Sequence, residues 1–394
     1  MASAPELPLA GLKVAEFSHM VMGPAVGVIL GDLGAEVIKI EPSGGDATRR
    51  LKGSGAGYFP MFNRNKQSIC LDLKAPQGLE IAARLAAEAD VVIENFRPGA
   101  MDKLGLGYAK LAALNPALIY CSAKGFLAGP YDHRTALDEV AQMMGGLAYM
   151  TGPPGQPLRA GASVIDITGG MFGVIGILAA LEERRRTGKG QYVTCSLFET
   201  TAFLVGQHMA QLAVTGVAPN PMPVRISAWA IYDIFETADQ QQVFLGVVSD
   251  SQWVVLCEAF GLTALGADPH MAANNNRVDA RPTILPQVRA VMKTFTKAAL
   301  LEKLDTLGLP FAPIARPQDL FDDPHLLAKG GLVEVTLAEG QKTMLPALPL
   351  GMEHGRFEIR TDVPTAGQHS ETVLQGLGFA PDEIATLKMS GVVS

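Results

Sequence analysis

The stretch "LKVAEFSHMVMGPAVGVILGDLGAEVIKIE", residues 12–41, decides the fold. It begins with a short apolar run at 12–17. A Gly-Pro pair then opens a segment that ends at Gly34, and a second apolar run follows at 35–41. A strand, a helix and a second strand in this order are typical of a parallel sheet whose faces are covered by helices. Connections of this kind are right-handed.

The same alternation continues along the chain. Further strand patterns lie at 68–73, 90–96, 117–126 and 191–197, and helical patterns at 76–89 and about 168–183. A proline-rich connector at about 205–225 precedes a hairpin pattern at 230–249 and further helices, which indicates a second unit. We therefore predict an α/β protein with more than one structural unit.

Composition excludes several classes of protein. The 394 residues carry a net charge of −7 and no basic patch, so we expect no nucleic-acid partner. The four cysteines lie far apart, which favours buried thiols in a reducing cytoplasm over disulfides or a metal site. The opening "MASAPELPLA" lacks the features of a signal peptide. The apolar stretch 161–181 contains Asp166 and five glycines, so we expect no membrane span.

A nicotinamide-binding site is disfavoured by the loop after the first strand. That loop reads "SHMVMGPAVG" rather than G-x-G-x-x-G, so its backbone lacks the glycines that let a pyrophosphate approach. Glu41, at the end of the second strand, occupies the place of a ribose-binding acid but is weak support alone.

Asp166 is the most conspicuous candidate for chemistry. An acid at the start of a helix commonly caps it, which is one interpretation. The other is a reactive carboxylate that the helix N-terminus keeps ionised by lowering its pKa. Gly169 and Gly170 follow and could leave room and N–H groups for a ligand.

Several long segments resemble one known family. They include "NRNKQSICLDLK", "VVIENFRPGAMDKLGLGY", "DITGGMFGVIGILAALEERRRTGKGQYV" and "PTAGQHSETVLQGLGFAPDEIATLKMSGVV". Together with residues 11–49 they are similar to the class III CoA-transferases, which include formyl-CoA transferase and carnitine CoA-transferase. The resemblance extends over nearly the whole chain.

The resemblance implies an architecture that hydrophobic periodicity alone does not predict. It implies a Rossmann-like large domain built from both chain ends, a smaller inserted α+β domain, and an interlocked homodimer. On this sequence the domains fall at 1–205, with a linker at 206–228, the small domain at 229–309, and a linker with the rest of the large domain at 310–394.

The resemblance also implies an activity. Asp166 aligns with the family's nucleophile, which exchanges CoA between an acyl-CoA and a free carboxylic acid through aspartyl-anhydride and aspartyl-CoA intermediates. CoA thioesters are then substrates, with no permanently bound cofactor and no metal. The positions implied to bind CoA are His19, Val21, Met22, Leu71, Lys74, Asn95, Phe96, Arg97, Lys103 and Asp138. Arg49, Arg64 and Lys66 are either further phosphate partners or solvated surface cations.

Alternatives remain open. The α-methylacyl-CoA racemases share the fold but place a His where this chain has Leu137, so half of an acid/base pair is absent. A non-catalytic acyl-CoA-binding protein is the alternative of a different class. Arg225 could bind a distal carboxylate or form a structural ion pair; the first interpretation favours succinyl-CoA or another dicarboxylyl-CoA as donor. The glycine-rich loop of oxalate-using members is absent between 220 and 262, which argues against formyl-CoA:oxalate exchange.

Overall fold

The computed structural model describes residues 7–328, 330–337, 340–353 and 357–394. The chain forms two compact units. One comprises Met1–Pro223 together with Pro324–Ser394, and the other comprises Val224–Asp323. Segments from both halves of the sequence therefore build the first unit, and the second is inserted between them in sequence.

The first unit contains a sheet of six strands, numbered in chain order. These are β1 (Lys13–Phe17), β2 (Glu36–Glu41), β3 (Lys66–Cys70), β4 (Val91–Glu94), β5 (Ile119–Lys124) and β6 (Tyr192–Ser196). Their order is β3-β2-β1-β4-β5-β6, and all neighbours are parallel. This confirms the predicted parallel sheet. The order reverses between β1 and β4, where a crevice opens at the carboxyl edge.

From residue 7 to residue 215, the structure has nine α-helices in this unit. They are α1 (Met22–Asp32), α2 (Tyr58–Phe62), α3 (Pro76–Glu88), α4 (Ala100–Lys103), α5 (Tyr108–Leu114), α6 (Asp138–Met144), α7 (Leu147–Thr151), α8 (Val164–Thr187) and α9 (Leu197–Thr215). The predicted linker begins at residue 206. In the structure α9 remains helical to Thr215, and Gly216 ends it with a left-handed φ of 70°. The non-helical connection therefore starts ten residues later than expected.

The second unit pairs a small antiparallel sheet with helices. Its strands are β7 (Ile231–Glu236), β8 (Gln242–Val247) and β9 (Phe311–Pro313), and its helices are α10 (Asp250–Ala259), α11 (Thr263–Ala267), α12 (Asn274–Asp279), α13 (Arg281–Met292) and α14 (Lys297–Thr306). The predicted hairpin is present as β7 and β8, and Gln240 in its turn has a φ of 57°. Trp253, Leu256 and Ile284 belong to its core.

The last segment returns to the first unit. It contains α15 (Pro324–Ala328), the antiparallel pair β10 (Leu332–Thr336) and β11 (Lys342–Pro346), α16 (Ser370–Gly376) and α17 (Pro381–Met389). This segment also covers the edge strand β3. The N–H of His369 donates to the carbonyl of Ser68, and the ring Nδ1 of His369 accepts the N–H of Ser68. Val393 forms a bridge with Leu71 just beyond the strand.

Helices cover both faces of the six-stranded sheet. On one face, α3, α5, α16 and α17 contribute to a core that contains Phe17, Ile69 and Leu374. On the other, α1 and α8 bury Val26 and Ile177. Within the described ranges, α8 alone is long and apolar enough to cross a membrane by length and composition. Since it also packs on the sheet, that criterion does not make it a membrane span.

Candidate active site

The loops after β1 and β4 are joined at the carboxyl edge of the sheet. Asn95 Oδ1 accepts the N–H of His19 at 3.0 Å and lies 3.1 Å from its ring Nδ1, while Asn95 Nδ2 donates to the His19 carbonyl at 2.8 Å. The His19 ring also meets the Phe96 ring edge-on, with 5.8 Å between centroids. The two loops thus form one continuous wall.

A cavity of about 310 Å³ opens against this wall. Its remaining walls come from the end of β5, the segment before α6 and the start of α8. Its charged and strongly polar lining consists of His19, Asn95, Arg97, Lys124, Arg134, Asp138, Glu139, Arg159 and Asp166. Four of these are permanent cations, which suits a ligand that carries phosphates or carboxylates.

Asp166 lies in the first turn of α8 and lines the cavity. It does not cap the helix. The N-cap residue is Ser163, whose side chain makes no capping bond, and Asp138 Oδ2 instead accepts the N–H groups of Ile165 at 2.9 Å and of Asp166 at 3.1 Å. The interpretation of Asp166 as a cap is therefore wrong, because a distant acid takes that role and leaves the Asp166 carboxylate for the cavity.

Asp138 is itself held by its neighbours. Gln142 Nε2 donates to Asp138 Oδ1 at 2.5 Å, and Arg159 Nη2 lies 3.6 Å from the same oxygen. Arg159 Nη1 also lies 2.6 Å from Glu139 Oε1. Asp138 was expected to contact CoA. The structure places it in the cavity wall, where its carboxylate fixes the turn that carries Asp166.

The pKa of Asp166 is raised from 3.8 to about 7, chiefly by burial and then by the charge of Asp138, while Arg159 opposes the rise. The prediction from the sequence is the opposite, that the helix N-terminus lowers this pKa. That expectation is wrong, because desolvation and the Asp138 carboxylate outweigh the helix dipole. About half of the Asp166 groups are therefore ionised near neutral pH.

Gly169 and Gly170 lie away from the cavity, where α8 crosses α1. A Cβ on Gly170 would lie 2.9 Å from the carbonyl oxygen of Met22, and one on Gly169 would lie 2.8 Å from Met22 Cε. Their N–H groups are beyond the first turn and belong to the helix ladder. The expectation that they make room for a substrate is corrected: they let two helices approach closely.

The predicted CoA contacts divide into two groups. Those that line the cavity are His19, Met22, Asn95, Phe96, Arg97 and Asp138. Val21 and Leu71 are buried instead, Val21 beside α2 and Leu71 in the main core, because their apolar side chains point inward. Lys74 and Lys103 are exposed outside the cavity lining, and their contact with CoA stays a prediction.

The additional candidate phosphate partners are internal. Arg64 pairs with Asp32 at 2.7 Å, and Lys66 pairs with Glu16 at 2.8 Å. The side chains of both pairs are at most 5% exposed. Arg49, 11% exposed, forms a two-pronged pair with Glu41. Both earlier interpretations of Arg64 and Lys66 are therefore wrong, since neither reaches solvent or the cavity.

Three cations of the cavity are not predicted from the sequence: Lys124, Arg134 and Arg159. Lys124 could have been found, because it ends β5 at the edge where doubly wound sheets bind ligands. Its Nζ is 2.7 Å from Glu94 Oε1 and donates to the Phe96 carbonyl at 2.7 Å. Arg159 lies in an irregular segment with no pattern around it.

Arg225 belongs to the second unit, and its role stays a prediction. Across the described ranges, no group of three or more His, Cys, Asp or Glu side chains is arranged to hold a metal ion. The four cysteines are unbridged and buried.

The model of the family described as CoA-transferase family III matches residues 9–370. The chain belongs to this family. It is 35% identical to a succinate–glutarate CoA-transferase of Agrobacterium fabrum, over 94% of this chain and 96% of that protein. It is 32% identical to a formyl-CoA:oxalate CoA-transferase of Streptomyces coelicolor, over 98% and 99%. These matches confirm the resemblance and identify the protein as a transferase.

A solved structure shares the fold. A CAIB/BAIF family protein from Brucella suis superposes with a TM-score of 0.82 at 34% identity, over 94% of this chain and 100% of that chain. As a CoA-transferase family member, this protein takes CoA thioesters as substrates, and the cavity described above is its candidate active site.

Proposed function

We propose that this CoA-transferase moves CoA from a dicarboxylyl-CoA, such as succinyl-CoA, to a free carboxylic acid, with Asp166 as the nucleophile. The observation that carries the proposal is a partly buried carboxylate with a pKa of about 7 in a cavity wall that four cations share. Such a carboxylate is ionised often enough to attack a thioester near neutral pH, and its raised basicity strengthens it as a nucleophile.

The exchange begins when an Asp166 oxygen attacks the thioester carbon of the donor. The tetrahedral intermediate expels the CoA thiolate and leaves a mixed anhydride on Asp166. The thiolate attacks the Asp166 carbonyl carbon, which releases the donor acid as a carboxylate and leaves an aspartyl-CoA thioester. The acceptor carboxylate then attacks that thioester, and the expelled thiolate takes the new acyl group from the second anhydride. Each step replaces one activated acyl bond by another of comparable energy.

The cavity cations support these steps. The charge of Arg159 favours the ionised form of Asp166, so this guanidinium is suited to stabilise an oxyanion at the same place. Lys124 is fixed by Glu94, and Arg97 and Arg134 line the same cavity. We assign these three to the negative groups of CoA or of a dicarboxylic substrate. The glutarate named for the Agrobacterium relative supports the dicarboxylic class.

A racemase is the second candidate on this fold. Leu137 lines the cavity and is 57% exposed, at the place where the racemases carry a His. An aliphatic side chain carries no proton, so an acid/base pair with Asp166 is incomplete. Transfer without loss of the α-proton is therefore the proposed reaction.

We also propose that the protein acts in the cytoplasm as an interlocked homodimer. The support is a set of large apolar side chains left exposed on α8 and α9: Met171, Ile175, Leu178, Phe203, Met209 and Leu212. An apolar surface of this extent is typical of an interface. Light scattering during size-exclusion chromatography tests this, and a monomer at working concentration contradicts it.

The experiment for the activity pairs donors with acceptors. Succinyl-CoA with glutarate and formyl-CoA with oxalate are incubated with the enzyme, and new CoA esters are followed by mass spectrometry. We expect the first pair to react faster. Asp166→Asn should abolish exchange, whereas Asp382→Asn, which changes an exposed acid in the first turn of α17, should not. Full exchange by Asp166→Asn refutes the nucleophile, and α-deuterium incorporation from D₂O without an acceptor supports the racemase.

A further inference from the structure

A buried charge cluster lies beneath residues 18–24, which we call the loop 18–24 and which consist of the connection 18–21 after β1 and the first three residues of α1. Glu16 of β1, Lys39 of β2 and Lys66 of β3 have side chains with 0% exposure. Glu16 Oε1 is 3.3 Å from Lys39 Nζ, and Glu16 Oε2 is 2.8 Å from Lys66 Nζ. One carboxylate thus joins two buried ammonium groups.

A further N–H group of each lysine reaches the loop itself. Lys39 Nζ donates to the carbonyl of Ser18 at 2.7 Å, and Lys66 Nζ donates to the carbonyl of Pro24 at 3.1 Å. These carbonyls stand at the two ends of the loop. The hydroxyl of Ser18 also donates to Glu16 Oε1 at 2.7 Å. Both ends of the loop are therefore fixed from below by charge-assisted bonds.

A third connection reaches the middle of the loop. Lys39 Nζ is 3.4 Å from Asp46 Oδ2, and Asp46 caps the short 3-10 helix Ala47–Arg50. Thr48 in that helix accepts the N–H of Met20 at 3.0 Å through its hydroxyl. Met20 has a φ of 63°, in the left-handed region that non-glycine residues adopt only when their surroundings impose it.

Stability alone is a weak reason for this cluster. Two ammonium groups without solvent are costly, and apolar side chains of similar volume often replace buried ion pairs without loss of stability. The cluster instead imposes one conformation on a loop whose His19, Met20 and Met22 line the cavity. A preformed binding wall lowers the ordering cost of the ligand.

We propose that Lys39 and Lys66, joined by Glu16, are positioning residues that hold the loop 18–24 in the shape that binds acyl-CoA. The inference rests on the proposed function only in taking this cavity as the acyl-CoA site. Neither lysine touches the substrate; each acts through a backbone carbonyl of the loop.

The test compares Lys39→Met and Lys66→Met with Arg64→Met. Arg64 belongs to a second buried ion pair of the same unit, with Asp32 of α1, and its bonds go to Asp32 rather than to the loop. We expect both lysine variants to raise KM for acyl-CoA about tenfold and KM for the acceptor acid less than twofold. Arg64→Met should lower the unfolding midpoint with KM unchanged. Hydrogen exchange of loop amides should accelerate in the lysine variants but not in Arg64→Met.

Thr48→Val is the second variant, in case the lysine variants fail to fold. It removes the hydroxyl that accepts the Met20 N–H and that donates to Asp46 Oδ1, while the ion pairs of Glu16 with Lys39 and Lys66 are kept. We expect a threefold or greater rise in KM for acyl-CoA. An unchanged KM and unchanged loop exchange in all folded variants overturn the inference, as does an equal rise in Arg64→Met. If no transfer activity is found, calorimetric titration compares the CoA affinities of the same variants. Failure of the proposed function is then distinguished from failure of this inference.

Discussion

The substitution Asp138→Asn separates two effects of one side chain on Asp166. Asparagine keeps a side-chain oxygen that can accept the N–H groups of Ile165 and Asp166, so the start of α8 remains capped. It removes the negative charge that raises the pKa of Asp166. Its amide nitrogen then faces the amide nitrogen of Gln142, so the hydrogen bond between the two side chains is lost. This loss lowers the stability somewhat but adds no charge near Asp166.

The expected change follows from the causes of the raised pKa. The rise of the pKa from 3.8 to about 7 has burial as its largest cause and Asp138 as the second. Two unit charges roughly 6 Å apart interact by about 3 kcal/mol at an effective dielectric constant of about 20. Burial, the largest cause, remains in the variant and keeps the pKa above 3.8, and Arg159 continues to favour the ionised form. We therefore expect the pKa of Asp166 to fall to between about 5 and 6, which corresponds to about 1.4 to 2.8 kcal/mol.

The assay is the pH dependence of kcat/KM for the acyl-CoA donor, which reports groups of the free enzyme. Ionised Asp166 is the reactive form, so activity in the wild type should decline as pH falls through about 7. In Asp138→Asn the decline should begin at a lower pH. The plateau should also be lower, because a less basic carboxylate is a weaker nucleophile.

Glu139→Gln is the matched control. Glu139 also raises the pKa of Asp166, but it is the last of the causes and its side chain is 54% exposed. We expect a much smaller displacement of its pH profile. A profile of Asp138→Asn that coincides with the wild type, or moves to higher pH in a folded enzyme, refutes the electrostatic account of Asp166.

Three further outcomes are expected. Arg159→Met should move the acidic decline of kcat/KM to higher pH, opposite to Asp138→Asn, since the guanidinium favours ionised Asp166; no movement contradicts this. Gly170→Ala should lower the free energy of unfolding by about 1–3 kcal/mol, because its Cβ would meet the α1 backbone at 2.9 Å. Gly376→Ala, in open space at the exposed end of α16, should raise it by about 0.5 kcal/mol, and urea titration that finds equal effects contradicts the packing argument. Burial lowers the pKa of His369. The hydrogen bond in which its neutral ring Nδ1 accepts the Ser68 N–H should therefore stabilise the fold above pH 6.5 and be lost as pH falls through the lowered folded pKa. Between about pH 7.5 and about pH 5.5, the urea midpoint of the wild type should therefore fall more than that of His369→Gln. Midpoints of the two proteins that change equally with pH contradict this expectation.

The order of strands and helices was accessible from the sequence, since it depends on local periodicity. The apolar runs of 12–17 and 35–41 are found as β1 and β2 within one residue. The edge strand β3 begins at Lys66, two residues before its predicted start. That difference has a physical cause, because a lysine at a strand start looks exposed unless its buried partner, Glu16, is known.

Only part of the candidate site could be predicted from the sequence. Asp166 was found through a motif, but its electrostatics depend on Asp138, which lies 28 residues earlier in the chain. Helix capping by a residue outside the helix leaves no local signature. The two glycines after Asp166 were also misplaced, because adjacency in sequence says nothing about which face of a helix meets α1. Burial and long-range pairing decided each of these points.

The pairing of β3 with the segment around His369 has a consequence for synthesis of the chain. The hydrogen-bonded residues Ser68 and His369 are 301 positions apart. At the usual rates of translation, roughly 15 to 60 s separate the appearance of the strand from that of its cover. During that interval the edge of β3 has no such partner from its own chain, and an uncovered edge is a template for association with other chains. The period in which this edge can pair with another chain therefore ends only once residue 369 has been synthesised.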